Sequence, residues 1–472
     1  MARSYTDAEV QEFIAAAIAP LVARIDEQTK QIATLQSEVA RLKKNSSNSS
    51  KPPSSDIVKP PKPALPHGGK RKIGAQPGHG RHERMPFGPE QIDRMENYTL
   101  HECPDCGGRV RPIAAPPQVL QQVELLPQQV EVVEHRAGAC QCVRCGKVHY
   151  AALPPPVAQC GLIGPELTAL VAYLKGVCHA SFSTIRKLFR DVLKITVSRG
   201  HLVNLINKVT AAMDVAYEHL RTILPNEKHL NVDETGHKEK GKRWWTWCFR
   251  AELYTLFKID ISRGADVLIA MLGREFDGVL GCDYFSAYHK YMGDCGVTVQ
   301  FCLAHLIRDV KFLTTLPDAV TRNYGQRVLE GLRVLFGVIH RRDTMAPARF
   351  GRALAKARDD LIAVGKRAPL RNEAQNLAKR FRENGEAYFR FITTPGVEPT
   401  NNLAEQAIRF VVLDRLVTQG TRSESGRRWC ERIWTAIATC AQQGRSVFDF
   451  LRDTLHARLR NKPTPSLLPA GP

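Results

Sequence analysis

HLNVDETGH, residues 229–237, decides how this chain is read. An apolar approach of strand type ends in two adjacent carboxylates, Asp233 and Glu234. The setting makes that ending odd. The chain carries 67 Lys+Arg against 47 Asp+Glu, a net charge of +20 over 472 residues. A protein so basic has to have a use for acids at the tip of a buried strand.

Reading outward from that stretch gives a mixed sheet with helices on it. RWWTWCFRAELYTLFKID supplies two further strands, aromatic and β-branched, turning near Ala251–Glu252. SRGADVLIAMLG reads as a helix and DGVLGCDYF as a short buried strand. VTVQFCLAH is another strand, running into the helix LIRDVKFL. The order β-β-β-α-β-α-β-α places the chain in the α/β class. Residues 316–395 are almost wholly helical in pattern. TNNLAEQAIRFVVL, 400–413, opens a new helix with Asn401 or Asn402 as its cap. The tail from Arg427 to Arg460 is helical, and NKPTPSLLPAGP is a loose end.

The acids then form a pattern. Asp283 ends the strand VLGCD as Asp233 ends its own, and Glu405 falls in the first turn of a helix. Carboxylates gathered at strand tips repel one another unless cations intervene. Hard divalent ions such as Mg²⁺, or Mn²⁺ in its place, take oxygen ligands and keep positions open for phosphates. Two such ions about 3.5–4 Å apart activate the attacking oxygen and stabilise the leaving one. A helix N-terminus favours an ionised glutamate. Taken singly, each acid has a plainer reading: Asp233 capping a turn, Asp283 closing a strand, Glu405 pairing with Arg409 at i,i+4.

The N-terminal half carries other signals. Residues 13–44 read as one helix with Ile18, Ile25, Ile32 and Val39 on one seam and Leu21, Gln28, Leu35 and Leu42 on the other. That is a short coiled coil, or an amphipathic helix packed on its own chain. NSSNSSKPPSSD, 45–56, lacks the apolar groups to fold alone. From 57 to 85 the linker turns basic, with Lys59, Lys62, Lys70, Arg71, Lys72, Arg81 and Arg84 against Glu83. It is a solvated tether or an arm lying along phosphates. CPDC (Cys103, Cys106) and CVRC (Cys142, Cys145) follow, separated by 35 residues. Two C-x2-C knuckles complete a closed, structural tetrahedral Zn²⁺ site; unrelated buried cysteines are the alternative. QQVELLPQQVEVVEH between them reads as a β-hairpin that would bring the pairs together, and Cys140 is a spare thiol. SFSTIRKLFRDVLKITVSRGHLVNLINKV reads as two helices around ITVSRG, either a helix-turn-helix or an ordinary helical hairpin.

Charge and composition bound the partners. A net +20 points to a polyanion, most simply nucleic acid. No uninterrupted apolar run approaches the ~20 residues that span a bilayer, and MARSYTDAEVQEF lacks a signal-peptide pattern. A cytoplasmic protein is expected, with 13 cysteines serving as thiols or metal ligands rather than disulfides.

In this order, NSSNSSKPPSSD, the basic segment ending GAQPGHG, CPDCGG with CVRC, VDET, the strand ending in Asp283, AHLIR and NNLAEQAIR resemble the transposases of the bacterial insertion sequence 66 family. That family uses a DDE (Asp, Asp, Glu) metal site in a ribonuclease-H-like fold. The resemblance covers nearly the whole chain and implies that Asp233, Asp283 and Glu405 bind metal, with His305 and Arg308 of AHLIR beside the scissile phosphate. It implies hydrolysis of a phosphodiester at an element end, then in-line attack of the freed 3′-hydroxyl on target DNA. The expected layout is a coiled-coil helix (1–44), basic linker (45–100), zinc module (101–155) and helical DNA-binding segment (156–225). A catalytic domain (226–425) with a helical insertion (316–395) and a C-terminal tail (426–472) complete it. Expected partners are terminal repeats and target DNA, a second copy of the chain through the coiled coil, and helper proteins, all at the bacterial nucleoid. The sequence departs from the family in Leu303, where a Trp is frequent, and in the run after NNLAEQAIR. A zinc-ribbon regulator with an inert sheet and a nuclease without joining activity are the rival readings.

Overall fold

The computed structural model describes residues 6–45, 48, 85–111, 116–123, 130–141, 143–145 and 147–469. Two compact units divide the chain: Met1–Pro60 with His135–Pro472, and Pro61–Glu134. The linker cations from Lys59 to Arg84 lie outside the described residues, as does Cys142.

In the larger unit, α1 (Asp7–Leu42) is one helix with Pro20 inside it. Its apolar seam stays open to solvent, with Ile25 at 61% and Leu35 at 60% exposure. At its end Arg41 pairs with Glu373 at 2.7 Å, and Lys44 lies 3.9 Å from the Phe312 ring centroid. A hairpin of β1 (Ala139–Gln141) and β2 (Val148–Tyr150) follows. Then come α2 (Pro155–Cys160), α3 (Pro165–Gly176), α4 (Phe182–Asp191) and α5 (Arg199–Ile223). Serine caps start the last two, Ser181 accepting from Thr184 N and Ser198 from His201 N, each at 3.0 Å. The two helices expected around ITVSRG are thus α4 and α5. The segment Pro155–Gly176 has the length and hydropathy of a membrane span, an apolar stretch that the sequence reading passed over. It breaks at Gly161, and α3 buries Thr168, Ala169, Val171 and Ala172 inside the unit.

The sheet is built from β3 (His229–Glu239), β4 (Lys242–Arg250), β5 (Thr255–Asp260), β6 (Val279–Cys282) and β7 (Thr298–Phe301), in the order β5-β4-β3-β6-β7. β3–β4 and β4–β5 are antiparallel, while β3–β6 and β6–β7 are parallel. The β3–β4 turn puts Lys240 at φ 49° and Gly241 at φ 78°, the doubly left-handed pair that matches strand twist. All of β6 is buried, as fits a strand covered on both faces. Crossovers run through α6 (Ala265–Leu272) and α7 (Ser286–Cys295). β7 leads into α8 (Leu303–Leu313), followed by the helical stretch α9 (Ala319–Ile339), α10 (Pro347–Lys366), α11 (Asn372–Asn384) and α12 (Arg390–Thr393). The chain returns to the sheet in α13 (Asn402–Thr418) and α14 (Glu424–Gln442), and α15 (Val447–Leu459) packs on α3 and α5.

α14 closes the open edge of the sheet. Phe257 N donates to Thr435 Oγ1 (3.0 Å), Ile259 N to Glu431 Oε1 (2.9 Å) and Thr255 N to Thr439 Oγ1 (3.2 Å). Every second residue of a strand advances ~6.7 Å and every fourth of a helix ~6 Å. One helix face therefore keeps step with one strand edge, and its side chains stand in for the missing neighbour. Edge N–H groups left bare template aggregation.

In the smaller unit, Gln121 bonds both backbone polar groups of Phe87, accepting from N at 2.7 Å and donating to O at 3.0 Å. CPDC occupies a tight turn flanked by the bridge Glu102↔Arg109, with Cys103 N donating to Gly108 O at 2.8 Å. The expected hairpin at 121–135 is not seen in its described parts, 121–123 and 130–135, which are irregular; 124–129 lie outside the described residues. The regular hairpin is β1–β2 instead, and it frames CVRC in the larger unit. Alternating apolar residues favour a strand only when a partner lies opposite, and periodicity does not say which segment supplies one.

Thr435→Val keeps the side chain's volume but leaves the buried Phe257 N–H without its acceptor. It is expected to lower unfolding free energy by about 1–3 kcal/mol, seen as a reduced urea midpoint with an unchanged slope.

Candidate active site

The site begins in the register of two parallel strands. His229 faces Val279, Leu230 faces Leu280 and Asn231 faces Gly281. Carried two residues further, the same register sets Asp233 beside Asp283. β3 runs on to Glu239 against β4, so Asp233 lies within its strand and not at the expected strand end; both carboxylates emerge where the parallel β3–β6 pairing stops, just past the carboxyl end of β6. Open α/β sheets characteristically offer their binding crevices there.

Glu405 arrives by a different route. Asn401 sits in the cap position of α13, but its side chain does not cap the helix. Nδ2 instead donates to Val232 O at 2.8 Å, and Oδ1 accepts from Asn231 Nδ2 at 2.9 Å. Its backbone N–H donates to Cys302 Sγ at 3.1 Å. One buried amide thus ties α13 to β3 and to the start of α8. Gly281 makes room, since a Cβ there would lie 2.7 Å from Asn231 Nδ2. Glu405, one turn along α13, then meets α8. Arg308 Nη2 donates to its two carboxylate oxygens at 3.1 and 3.3 Å. His305 Nδ1 lies 3.5 Å from Glu405 Oε1. Arg308 Nη1 contacts His305 Nε2 at 3.2 Å; a guanidinium only donates, so Nε2 accepts. The i,i+4 pairing of Glu405 with Arg409 gives way to this long-range partner.

Electrostatics mark the cluster. Burial pushes the Asp233 carboxyl well above its ordinary range, and repulsion from Glu234, Asp283 and Glu405 adds to it. The Asp283 carboxyl is pushed up to about 7 by burial and then by Glu234, with the Phe285 N–H and Arg263 opposing. Burial and the adjacent Arg308 lower the His305 pKa, favouring neutral imidazole. Among the described residues no cationic side chain pairs with Asp233 or Asp283; their bonds are to the N–H groups of Glu234 (2.9 Å) and Phe285 (3.0 Å). Carboxylates crowded without a counter-charge suit a hard divalent cation, which would take Asp233, Asp283 and Glu405 as oxygen ligands. A second donor set overlaps the first. Cys302, His305 and Glu405 hold ligand atoms within 4.8 Å of one another, a softer set that shares Glu405.

The five residues singled out on α/β elements, Asp233, Asp283, Glu405, His305 and Arg308, therefore share one neighbourhood. Cys103 and Cys106 occupy their turn in the smaller unit, and Cys145 sits in the β1–β2 turn. Backbone N–H groups of Asp105 and Cys106 point at Cys103 and lower its thiol pKa. Four further residues take part: Glu234 and Asn401, visible in the sequence but without a role at this site, and Asp309 and Cys302. Glu234 turns to the opposite face of β3, where Arg263 donates to Oε1 at 2.7 and 2.9 Å and Tyr288 to Oε2 at 2.6 Å. Asp309 holds Arg380 at 2.8 Å and adds negative potential at Asp283. Cys302 and Asn401 complete the set. Only Glu234 carried a local signal, the strand alternation that opposes it to Asp233.

Comparison with known proteins gives the family. Residues 160–428, more than half of the chain, match the Transposase IS66 family. The chain belongs to the IS66 transposase family. Residues 2–85 match a family of unknown function, DUF6444. A relative from Sinorhizobium fredii (strain NBRC 101917 / NGR234), described as "Uncharacterized protein y4qI", is 22% identical over 420 residues, spanning 82% of this chain and 76% of the relative. Membership makes this chain a DNA-processing enzyme of a mixed α/β fold, acting on DNA as IS66 transposases do.

The raised Asp283 pKa sets a pH signature. A carboxyl whose pKa is raised by folding stabilises the fold below about pH 4, and that contribution is lost as pH rises through about 7. Relative to wild type, Asp283→Asn in metal-free buffer is expected to gain roughly 3–8 °C in Tm between pH 5 and pH 8. Mg²⁺ at pH 8 is expected to raise the Tm of wild type and not of Asp283→Asn.

Proposed function

We propose that this IS66 member cuts phosphodiester bonds at the ends of a mobile DNA element and joins the freed 3′-hydroxyls to target DNA. The observation that carries the reading is the β3–β6 register bringing Asp233 alongside Asp283, with Asn401 seating the helix of Glu405. We take the five-stranded sheet as a ribonuclease-H-like platform and 316–395 as its helical insertion. Asp233, Asp283 and Glu405 would hold two Mg²⁺ ions, or Mn²⁺. Bound there, the ions supply positive charge that makes water nucleophilic at neutral pH and shields the phosphate.

The chain's own groups do the rest. The three carboxylates would hold the cations that face the scissile phosphate, so the same site would serve water first and a 3′-hydroxyl second. Arg308 presents a planar guanidinium suited to a phosphate, and an arriving strand would draw it from Glu405, freeing that carboxylate for the cations. Neutral His305 accepts from Arg308 and aims the fork. The linker, the C-x2-C module and α4–α5 would grip terminal repeats, and the exposed seam of α1 would pair with a second copy so that two ends are held together. Helper proteins would complete the assembly at the nucleoid in the cytoplasm.

The test uses an element-end duplex and a plasmid, with and without Mg²⁺. Wild type is expected to give nicked ends and strand-transfer products. Asp233→Asn and Asp283→Asn are expected to lose at least ~10³-fold in rate while still binding DNA, a cost of ~4 kcal/mol. Cleavage without joining would identify a nuclease; binding that ignores Mg²⁺ and both substitutions would identify a zinc-ribbon regulator. Separately, the purified chain is expected to contain about one zinc, reduced by Cys103→Ser or Cys145→Ser as read by elemental analysis.

A further inference from the structure

The β3–β4 hairpin ends in KEKGKR, residues 238–243. Lys238, Lys240, Lys242 and Arg243 are all exposed. Lys238 lies directly across the ladder from Arg243. Like charges so placed sit with Cβ atoms ~5 Å apart and destabilise a hairpin. No acid in the hairpin offsets them. Its one carboxylate at the tip, Glu239, turns inward to Arg427, both oxygens accepting at 2.9 Å. Among the described residues none of these four cations joins an ion pair, whereas ten other Lys or Arg side chains with at least half their surface exposed do so.

The tip is also braced. Lys240 N donates to Thr421 O at 3.0 Å and Thr421 N to Lys238 O at 2.9 Å. His237 Nε2 meets Thr421 Oγ1 at 3.0 Å. Gly420, at φ 87°, lets the loop approach, for a Cβ there would lie 2.3 Å from Lys238 O. The brace adds Arg422, exposed and next to Thr421. Arg243 is steadied by the Trp245 ring, 5.8 Å from its centroid. A rigid hairpin bearing unbalanced positive charge is costly on its own and pre-organised for a polyanion.

We propose that this hairpin is a rail for the backbone of duplex DNA leaving the active site. β3 itself connects the two places: Lys240 stands seven residues beyond Asp233, or roughly 23 Å along an extended strand. With ~3.4 Å per base pair, phosphates about seven base pairs from the one at Asp233 fall against the tip. Lysine ammonium groups in the turn read charge and not sequence. The rail therefore adds affinity common to any duplex and holds its axis along β3. The placement relative to the reacting phosphate rests on the transposase reading; the binding surface does not.

The experiment measures binding, not cleavage. A fluorescein-labelled random-sequence duplex of ~30 base pairs is titrated at several salt concentrations. The probe meets wild type, the triple variant Lys240→Gln, Lys242→Gln, Arg243→Gln, and a control triple on α10 and the turn before it, Arg342→Gln, Arg349→Gln, Arg352→Gln. The hairpin triple is expected to bind ~10–100-fold more weakly at low salt and to lower the slope of log K against log salt by about 2–3, near 0.9 for each phosphate no longer neutralised. The control triple is expected to keep the wild-type slope. Equal slopes in wild type and hairpin triple, or equal losses in both triples, would overturn the rail. Wild type that binds no duplex at all would instead end the DNA reading of the whole chain. All six substitutions are at exposed positions, and unchanged circular dichroism and Tm separate weakened binding from unfolding.

Discussion

Asn401 is the small constraint on which the site depends. Its amide replaces a helix cap with two bonds to β3, and its backbone N–H meets the sulfur that opens α8. Because the amide is buried, leaving the Val232 carbonyl unpaired would cost the full desolvation of that group. The bonds therefore act as a positional lock more than as a source of stability. They convert a separation of 170 residues along the chain into a fixed offset between an aspartate on β3 and a helical glutamate.

Around that lock the charges are arranged in two layers. The inner carboxylates of Asp233 and Asp283 are without cationic partners among the described residues, and the outer acids each have one: Glu234 with Arg263, Asp309 with Arg380, Glu405 with Arg308. Two of the outer pairs are partly shielded by aromatic rings, Arg263 over Phe285 at 3.8 Å and Arg380 over Tyr284 at 4.3 Å. Such pairs contribute little net stability once desolvation is counted. Their effect is to keep these carboxylates in a small volume while only the inner ones are left without a counter-charge.

Much of this was legible in the chain because it is local. The alternation in HLNVDET, the aromatic strands after it and the helix periods on either side of ITVSRG each follow from neighbours within a few residues. The place of Asp283 at the end of β6 was readable for the same reason, whereas Asp233 looked like a strand end because nothing local shows that β4 prolongs β3 to Glu239. What stayed hidden is long-range. Asn401 looked like a cap because caps are what asparagine does at helix starts, and no local rule says that its amide would find Val232. Cys302 gave no sign of lying near Glu405. The apolar stretch at 121–135 had strand composition, yet the regular hairpin formed at β1–β2, where two short segments lay opposite each other across the CVRC turn. α14 read as part of a tail, since a threonine every fourth residue does not announce which strand edge it will meet.

That helix has a consequence for how the molecule comes into being. The hydroxyl that satisfies Phe257 lies 178 residues downstream of it. At bacterial translation speeds of ~5–20 residues per second, β5 leaves the ribosome roughly ten to thirty-five seconds before its partner is made. During that interval the nascent sheet has one sticky border, and neighbouring chains on a crowded polysome are the nearest surfaces able to cover it. Until Thr435 has been made, that border of the sheet has to be kept apart from its neighbours by other means.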